Sequence, residues 1–325
     1  NKAILHFPNN NKFILKKAVA LNMINNHIEA IKIFNQYETI NNQDVFLYIH
    51  RSFAYLMCKN NKKAYEDIIK AAELDFEIIK RYKTNMEESL FRDLYYVSQF
   101  TQNIKNNLNV ANNYYERGNI KLVHKCYPEA IKDYNLALNF DKSHFFALNN
   151  ASNAYLHCGL YLNALEYVNK AIELKPLETR PYYNRGCIYI ELNKYEEALD
   201  DLLVAIKDSS NQSEVYERLA YVYSEINDNE HALYYYNMAV KYSDSPYYVF
   251  QRGLLFQKLN LLNDAINDFS TAIFRDHSFA EAYLKRGSIK FELGEKISGL
   301  DDIKFALSLG NLEAKELYNE FSKLI

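Results

Sequence analysis

Residue types that often catalyse reactions or bind metals occur in this chain, but their spacing matches no such site. The four cysteines form no CxxC pair, and the eight histidines form no HExxH motif. The glycines between Gly287 and Gly299 are not part of a GxxxxGK[ST] phosphate-binding loop. We therefore predict that the chain is not an enzyme, that it has no catalytic residues, and that it needs neither a metal ion nor a cofactor.

Paired carboxylates are a second kind of group that could do chemistry. They fall in the second helix of each predicted helix pair, where a solvated outer face is expected, and we interpret them as surface residues. The pairs are Glu196–Glu197, Asp200–Asp201 and Asp301–Asp302.

The composition indicates a helical protein. The 325 residues include only 8 Gly and 5 Pro, and no Trp. An all-β fold needs turn residues after every strand, and a dinucleotide-binding fold needs glycines beside the phosphates, so both are disfavoured. An all-α protein remains.

Charge and hydropathy restrict the partners and the compartment. The chain has 38 basic and 41 acidic residues, a formal net charge of −3, which argues against a nucleic-acid partner. The chain contains no run of about 18 apolar residues, so we expect no insertion into a membrane. The few, scattered cysteines favour a reduced, cytoplasmic setting. The chain begins with Asn1 instead of Met, so we expect that it could be part of a longer protein.

Small residues recur along the chain with a nearly constant period. Two series of alanines each step by 33 or 34 residues, with one gap of 66. The second series follows the first by seven residues, so the two alanines of each copy lie on the same face of one helix. The first series is Ala30, Ala64, Ala130, Ala164, Ala198, Ala232 and Ala265, and the second is Ala71, Ala137, Ala171, Ala205, Ala239, Ala272 and Ala306.

A second helix-forming pattern precedes each alanine pair. A glycine or another small residue lies twelve residues before the first alanine, as in Gly118, Gly186 and Gly253. An aromatic or apolar residue stands four residues before it, and another three residues after it. Each copy is therefore predicted to be two amphipathic helices, in which the small residue of the first receives a bulky residue of the second.

The 34-residue period, the small residues, the aromatic positions and the terminal Pro176 resemble the tetratricopeptide repeat. The best copies are FFALNNASNAYLHCGLYLNALEYVNKAIELKP, from Phe145, and TRPYYNRGCIYIELNKYEEALDDLLVAIKD, from Thr179. The resemblance implies an all-α solenoid, a right-handed superhelix of helix-turn-helix repeats. Eight repeats begin at 11, 45, 111, 145, 179, 213, 246 and 280.

Departures from the repeat predict the domain organisation. We expect two N-terminal repeats in residues 1–78, a divergent helical segment in 79–110, six repeats in 111–311 and a capping helix in 312–325. The register fails in 79–110 because a repeat placed there would put the bulky Tyr96 in the small-residue position. In the last segment Leu317, Phe321 and Leu324 share one face.

The resemblance also implies where a partner binds. The first helices of such repeats line a concave groove that holds an extended peptide or a partner helix. Asparagine side chains there resemble the asparagine ladder of the peroxisomal-receptor and O-GlcNAc-transferase arrays. We also expect Phe146, Tyr247 and Phe250 to face the groove. The predicted binding residues are Tyr115, Asn119, Asn150, Asn153, Arg180, Tyr183, Asn184 and Arg218.

A partial resemblance concerns repeats that bind the C-terminal carboxylate of chaperones. Asn119, Asn150 and Arg180 occupy matching positions of that clamp, but Tyr115 and Asn184 replace two expected basic residues. The clamp is therefore incomplete, and carboxylate binding should be weakened.

We predict a non-enzymatic scaffold or adaptor that binds a protein or peptide in the groove. Two alternatives stay open: a structural subunit that uses its convex face, and the regulatory region of a longer enzyme. The sequence identifies neither the partner nor the oligomeric state.

Overall fold

The computed structural model describes residues 11–83, 89–207 and 212–324, without the side chains of residues 11, 82–83 and 89–91. Residues 1–10, 84–88, 208–211 and 325, which belong to predicted segments, lie outside these ranges. The described residues form eighteen helices and no strand. They are α1 Asn11–Met23, α2 His27–Glu38, α3 Val45–Met57, α4 Asn61–Lys83, α5 Ser89–Lys105, α6 Val110–Val123, α7 Tyr127–Phe140, α8 Phe145–His157, α9 Tyr161–Leu174, α10 Arg180–Glu191, α11 Tyr195–Ala205, α12 Gln212–Glu225, α13 Asn229–Tyr242, α14 Pro246–Lys258, α15 Leu262–Arg275, α16 Ala280–Glu292, α17 Lys296–Ser308 and α18 Glu313–Phe321.

The helices group into two compact bodies, Asn1–Pro176 and Leu177–Ile325. We call them the N-terminal and C-terminal bodies. In each of them the helices come in antiparallel pairs, and we call the two members of a pair the first and the second helix of a repeat. The chain is an all-α repeat solenoid.

The first helices of the eight predicted repeats end in the same turn. In the repeat that begins at 179, Asn193 has a positive φ of 56°. The N–H of Lys194 donates to the carbonyl oxygen of Tyr189 at 2.8 Å, and that of Asn193 donates to Ile190 at 2.9 Å, which is a Schellman motif. The corresponding positive-φ residues are Asn25, Lys59, Lys125, Gly159, Asn193, Asn227, Asn260 and Gly294.

The glycine positions are the points of closest approach within a helix pair, as the sequence predicted. A Cβ atom on Gly118 would lie 2.8 Å from the ring of Tyr134 on the second helix. A Cβ atom on Gly287 would lie 2.7 Å from the carbonyl oxygen of Gly299. Both distances are shorter than real Cβ contacts allow. The small residue therefore lets the two helices of a repeat touch.

Arginine–aspartate pairs with a buried aspartate join the two helices in five repeats. In each pair, Nε and Nη2 donate to the two carboxylate oxygens at 2.6–2.9 Å. Arg and Asp are always sixteen residues apart, so the pairing repeats with the same register. The pairs are Arg51–Asp67, Arg117–Asp133, Arg185–Asp201, Arg252–Asp268 and Arg286–Asp302.

These pairs correct one expectation from the sequence. Asp201 and Asp302, which we interpreted as surface residues, are 5% and 8% exposed. Each lies on the inner side of its second helix, where the arginine of the first helix compensates its charge. Their sequence neighbours Asp200 and Asp301 are exposed.

The region between residues 79 and 110 contains a further helix pair. Helix α4 is interrupted at Asp75, which has φ −158° and ψ 99°, and the Asp75 side chain accepts from the N–H of Glu77 at 3.0 Å. On α5, Ser98 is fully buried, whereas Tyr96 is 39% exposed. Ser98, and not Tyr96, is therefore the small buried residue of α5. The division into domains stays a prediction.

The last helix packs on the repeat before it. On α18, Ala314 is fully buried, and Leu317 and Phe321 pack against a cluster that includes Leu284 and Ile303. The Phe321 ring stacks on Phe291 with 4.0 Å between centroids.

Candidate binding surface

Two of the predicted asparagines form an amide network in the N-terminal body. Asn119 lies on α6 and Asn150 on α8, the first helices of consecutive repeats. Nδ2 of Asn150 donates to Oδ1 of Asn119 at 2.9 Å, and the buried hydroxyl of Tyr134 donates to the same oxygen at 2.9 Å. Nδ2 of Asn149 in turn donates to Oδ1 of Asn150 at 3.2 Å. The network connects two repeats and leaves few free acceptors for a ligand.

The network fixes the acceptor side of these amides but leaves donor capacity. Nδ2 of Asn119 has only a long contact, 3.4 Å, with Oε2 of Glu116. Asn119, Asn150 and Asn153 are half-buried, so each retains contact with solvent. An extended chain could accept hydrogen bonds from these side chains through its backbone carbonyl groups.

Aromatic side chains lie beside the amides. The ring of Tyr115 lies 4.8 Å from His144 and 6.3 Å from Phe146, measured between centroids. The Lys175 ammonium lies 4.7 Å from the centroid of Phe145 and 5.4 Å from that of Phe146. Phe146 is 49% exposed. Phe146 and its aromatic neighbours thus form an apolar surface with the Lys175 ammonium at its edge.

In the C-terminal body the predicted residues differ strongly in exposure. Arg180 is exposed at the beginning of α10, whereas Asn184 on the same helix is 5% exposed. Tyr183 is half-buried near Arg218, and burial raises the pKa of its phenol. Asn184 therefore offers little surface to a partner.

A residue that the sequence analysis missed lies beside Arg218. Glu217 on α12 is 5% exposed. Its Oε1 accepts from the Tyr247 hydroxyl at 3.4 Å, and its Oε2 lies 3.4 Å from Nε of Arg218. Burial raises the pKa of this carboxyl group, although Arg218 and Tyr247 act in the opposite direction. The sequence did contain a signal for Glu217. The other repeats from 111 onward have an aromatic, amide or apolar residue at this position, whereas Glu217 is charged.

Phe250 corrects a second expectation. It is 7% exposed and its ring lies 5.4 Å from Phe269 and 4.8 Å from Phe279. It belongs to the core of its repeat, because burying its ring against two other aromatic rings is more favourable than exposing it to water. Tyr247, which was predicted with it, is 41% exposed.

The titratable groups of the described residues do not form a cluster suited to metal binding. Among them, no group of three or more His, Cys, Asp or Glu side chains could hold a metal ion. Burial raises the pKa of the Cys187 thiol to about 11, which keeps it neutral and weakly nucleophilic at pH 7.

Comparison with known proteins decides the family. The family model of the tetratricopeptide repeat matches residues 147–176 and 179–207, the two copies with the best spacing. The repeats that begin at 111 and 246 have the same turn, the same close helix contact and the same arginine–aspartate pair as the matched repeat that begins at 179. The chain is a tetratricopeptide repeat protein. Repeats of this kind generally serve as interaction modules.

Solved structures support the same fold for this tetratricopeptide repeat protein. A tetratricopeptide repeat protein from Parabacteroides merdae is 20% identical, with 86% of this chain and 98% of that chain covered and a TM-score of 0.53. Pseudomonas aeruginosa PilF is 20% identical over 65% of this chain and 97% of its own, with a TM-score of 0.55. Yeast Tom70 is 16% identical over 99% and 84%, also with a TM-score of 0.55.

No protein with a curated function matches the sequence of this tetratricopeptide repeat protein. In the part of the chain that the structure describes, no helix is both long enough and apolar enough to cross a membrane.

Proposed function

We propose that this tetratricopeptide repeat protein is a non-enzymatic scaffold that binds an extended segment or a helix of another protein along its first helices. The observation that carries the proposal is the exposure of polar and aromatic side chains on first helices, where the packing of the repeat does not need them. Phe146 is 49% and Tyr247 41% exposed. The proposed contacts are Tyr115, Asn119, Asn150 and Asn153 in the N-terminal body and Arg180, Tyr183 and Arg218 in the C-terminal body. Asn184, predicted with them, is left out because it is 5% exposed.

The chemistry of these residues suits a polypeptide ligand. Amide side chains bind the backbone of an extended chain without requiring a particular side chain. Exposed aromatic rings supply the large apolar contacts that dominate binding energy at protein interfaces. A cytoplasmic location and the absence of a nucleic-acid partner are part of this proposal and rest on composition.

A second candidate is a structural subunit that binds through its second helices. It is favoured by aromatic residues on those helices, since Phe140 is 64% and Phe274 79% exposed. The two candidates place the partner on different helices. They therefore predict opposite results for the same pair of substitutions.

The test is affinity capture with Phe146→Ala and Phe274→Ala in the whole chain. Both variants remove one exposed phenyl ring, from a first helix and a second helix respectively. We expect Phe146→Ala to reduce capture of each specific partner strongly, because loss of an interfacial anchor costs about 2 kcal/mol, which is about thirtyfold in affinity. Phe274→Ala should capture as much as the unaltered chain.

Loss of capture with Phe274→Ala alone would favour the second candidate and reject the first. Circular dichroism should give the same helix content and unfolding midpoint for the two variants. Any difference in capture between the two variants then reflects binding and not unfolding.

A further inference from the structure

Two of the later repeats lack the arginine–aspartate pair, and both carry other polar groups on the first helix instead. In the repeat that begins at 213, Leu219 and Tyr235 occupy the positions of the arginine and the aspartate. The charged residues are instead Glu217 and Arg218, which lie two residues and one residue before Leu219 on α12. A shift of one or two residues turns a side chain to another face of the helix. These charges therefore do not form the arginine–aspartate contact of a standard repeat.

The Glu217 carboxylate is under-coordinated for a buried charge. Asp268, a buried carboxylate of a standard repeat, accepts two hydrogen bonds from Arg252, at 2.8 and 2.7 Å. Glu217 accepts one, from the Tyr247 hydroxyl, and this bond is 3.4 Å long. Nε of Arg218 lies 3.4 Å from the carboxylate but is buried without a hydrogen-bond partner, so its geometry is poor. Buried carboxylates normally accept several close donors, and Glu217 lacks them.

The groups around Glu217 are partly exposed to solvent, so a ligand can supply the hydrogen-bond donors that Glu217 lacks. Tyr247, whose hydroxyl contacts the carboxylate, is 41% exposed, and Glu214 one turn earlier on α12 is exposed. Tyr248 and Tyr183 are half-buried, and their pKa values are raised by burial and by Glu214. We call this group of Tyr183, Glu214, Glu217, Tyr247 and Tyr248 the acidic recess. It combines carboxylates with aromatic faces, which both attract cations.

The charge of the C-terminal body agrees with a cationic ligand. Residues 177–325 contain 24 Asp and Glu against 16 Lys and Arg, whereas residues 1–176 contain 17 against 22. The recess contains two carboxylates, Glu214 and Glu217, and one cation, Arg218, lies beside it. A positively charged segment would therefore be attracted to this body and not to the other.

We propose that the acidic recess binds a lysine or arginine side chain of the partner, with the Glu217 carboxylate as its buried counter-ion. The inference rests on the proposed function, because it names the chemistry of a segment bound along the first helices. The cation donates the hydrogen bonds that Glu217 lacks, and the tyrosine rings cover its aliphatic part.

The experiment measures binding of three labelled peptides to the whole chain by fluorescence anisotropy. The peptides alternate alanine with lysine, glutamine or glutamate. We expect the lysine peptide to bind most tightly and to weaken with added salt. Glu217→Gln should weaken its binding by about tenfold or more, because a hydrogen bond to a charged group is lost.

The matched control is Glu230→Gln. Glu230 is exposed on the second helix α13 of the same repeat, so this variant changes the net charge equally without touching the recess. It should bind the lysine peptide as the unaltered chain does. Thermal unfolding of both variants provides a check on folding, and peptide binding is compared at a temperature at which both variants are fully folded.

Equal weakening by both variants would reduce the effect to general electrostatic attraction and overturn the proposal. Equal binding of the three peptides, or binding of none, would also overturn it. Neither result decides the proposed function, which the capture experiment with Phe146→Ala tests separately.

Discussion

Arginine is the residue that connects the parts of each standard repeat. Its guanidinium binds the aspartate of the second helix, and for Arg51, Arg117, Arg252 and Arg286 a further nitrogen donates to the preceding second helix at 2.8–3.1 Å. An aromatic ring three residues earlier lies beside it. The distances from the guanidinium carbon to the ring centroid are 5.2–5.5 Å for Tyr48, Tyr114, Tyr182 and Tyr283. The aromatic positions of the sequence pattern therefore also hold the arginine.

The neighbouring residues Asp200 and Asp201 test this role at the level of one residue. Asp201→Asn should destabilise the C-terminal body by about 3 kcal/mol, because it leaves the partly buried Arg185 without its counter-ion. Asp200→Asn should change the free energy of unfolding by less than about 0.5 kcal/mol, because Asp200 is exposed. Denaturant titration of both variants measures the difference. Equal effects would show that the pair contributes no more than a surface charge.

At the scale of the helices, asparagine does the work that glycine does in most turns. The positive-φ position after each first helix holds Asn four times, Lys twice and Gly twice. Asparagine tolerates the left-handed conformation better than other residues with a Cβ atom. The low glycine content, which indicated a helical protein, thus coexists with eight left-handed turns. The abundance of asparagine has a structural reason at four of these turns.

The two lysines in this position predict a stabilising substitution. Lys125 has a φ of 59°, which is unfavourable for a residue with a Cβ atom. We expect Lys125→Gly to raise the free energy of unfolding by up to about 1 kcal/mol, since glycine adopts this conformation without strain. Lys142→Gly is the control, because Lys142 is also an exposed turn residue but has no positive φ. It should be neutral or destabilising, and a stabilising effect of both variants would reject the explanation.

Much of the helical architecture could be predicted from the sequence, because the repeat imposes the same contacts many times. The period located the helix pairs, and the small-residue position located the closest contacts, as Gly118 and Gly287 show. The pairing of Arg with Asp sixteen residues later was present in the sequence as well. It was overlooked because Asp201 and Asp302 follow exposed acidic residues, and a pair of carboxylates normally indicates solvent.

At the scale of the whole molecule, the candidate surface was less predictable than the fold. Repeat positions tell which helix face a residue occupies, but not how far its neighbours cover it. Asn184 and Phe250 are buried by their neighbours, whereas Arg180 and Phe146 are exposed. Asn119 and Asn150 bond to each other, which no spacing rule predicts. Glu217 was missed because its burial depends on Tyr247 from the next repeat.

The most direct test of the central proposal is site-specific photo-crosslinking to the partner. A photoreactive phenylalanine analogue at position 146 or 247 lies on a first helix, and at position 140 or 274 on a second helix. All four positions are 41–79% exposed, so accessibility does not favour either set. We expect crosslinks from positions 146 and 247 and none above background from 140 and 274. Crosslinks from positions 140 and 274 alone would contradict binding along the first helices.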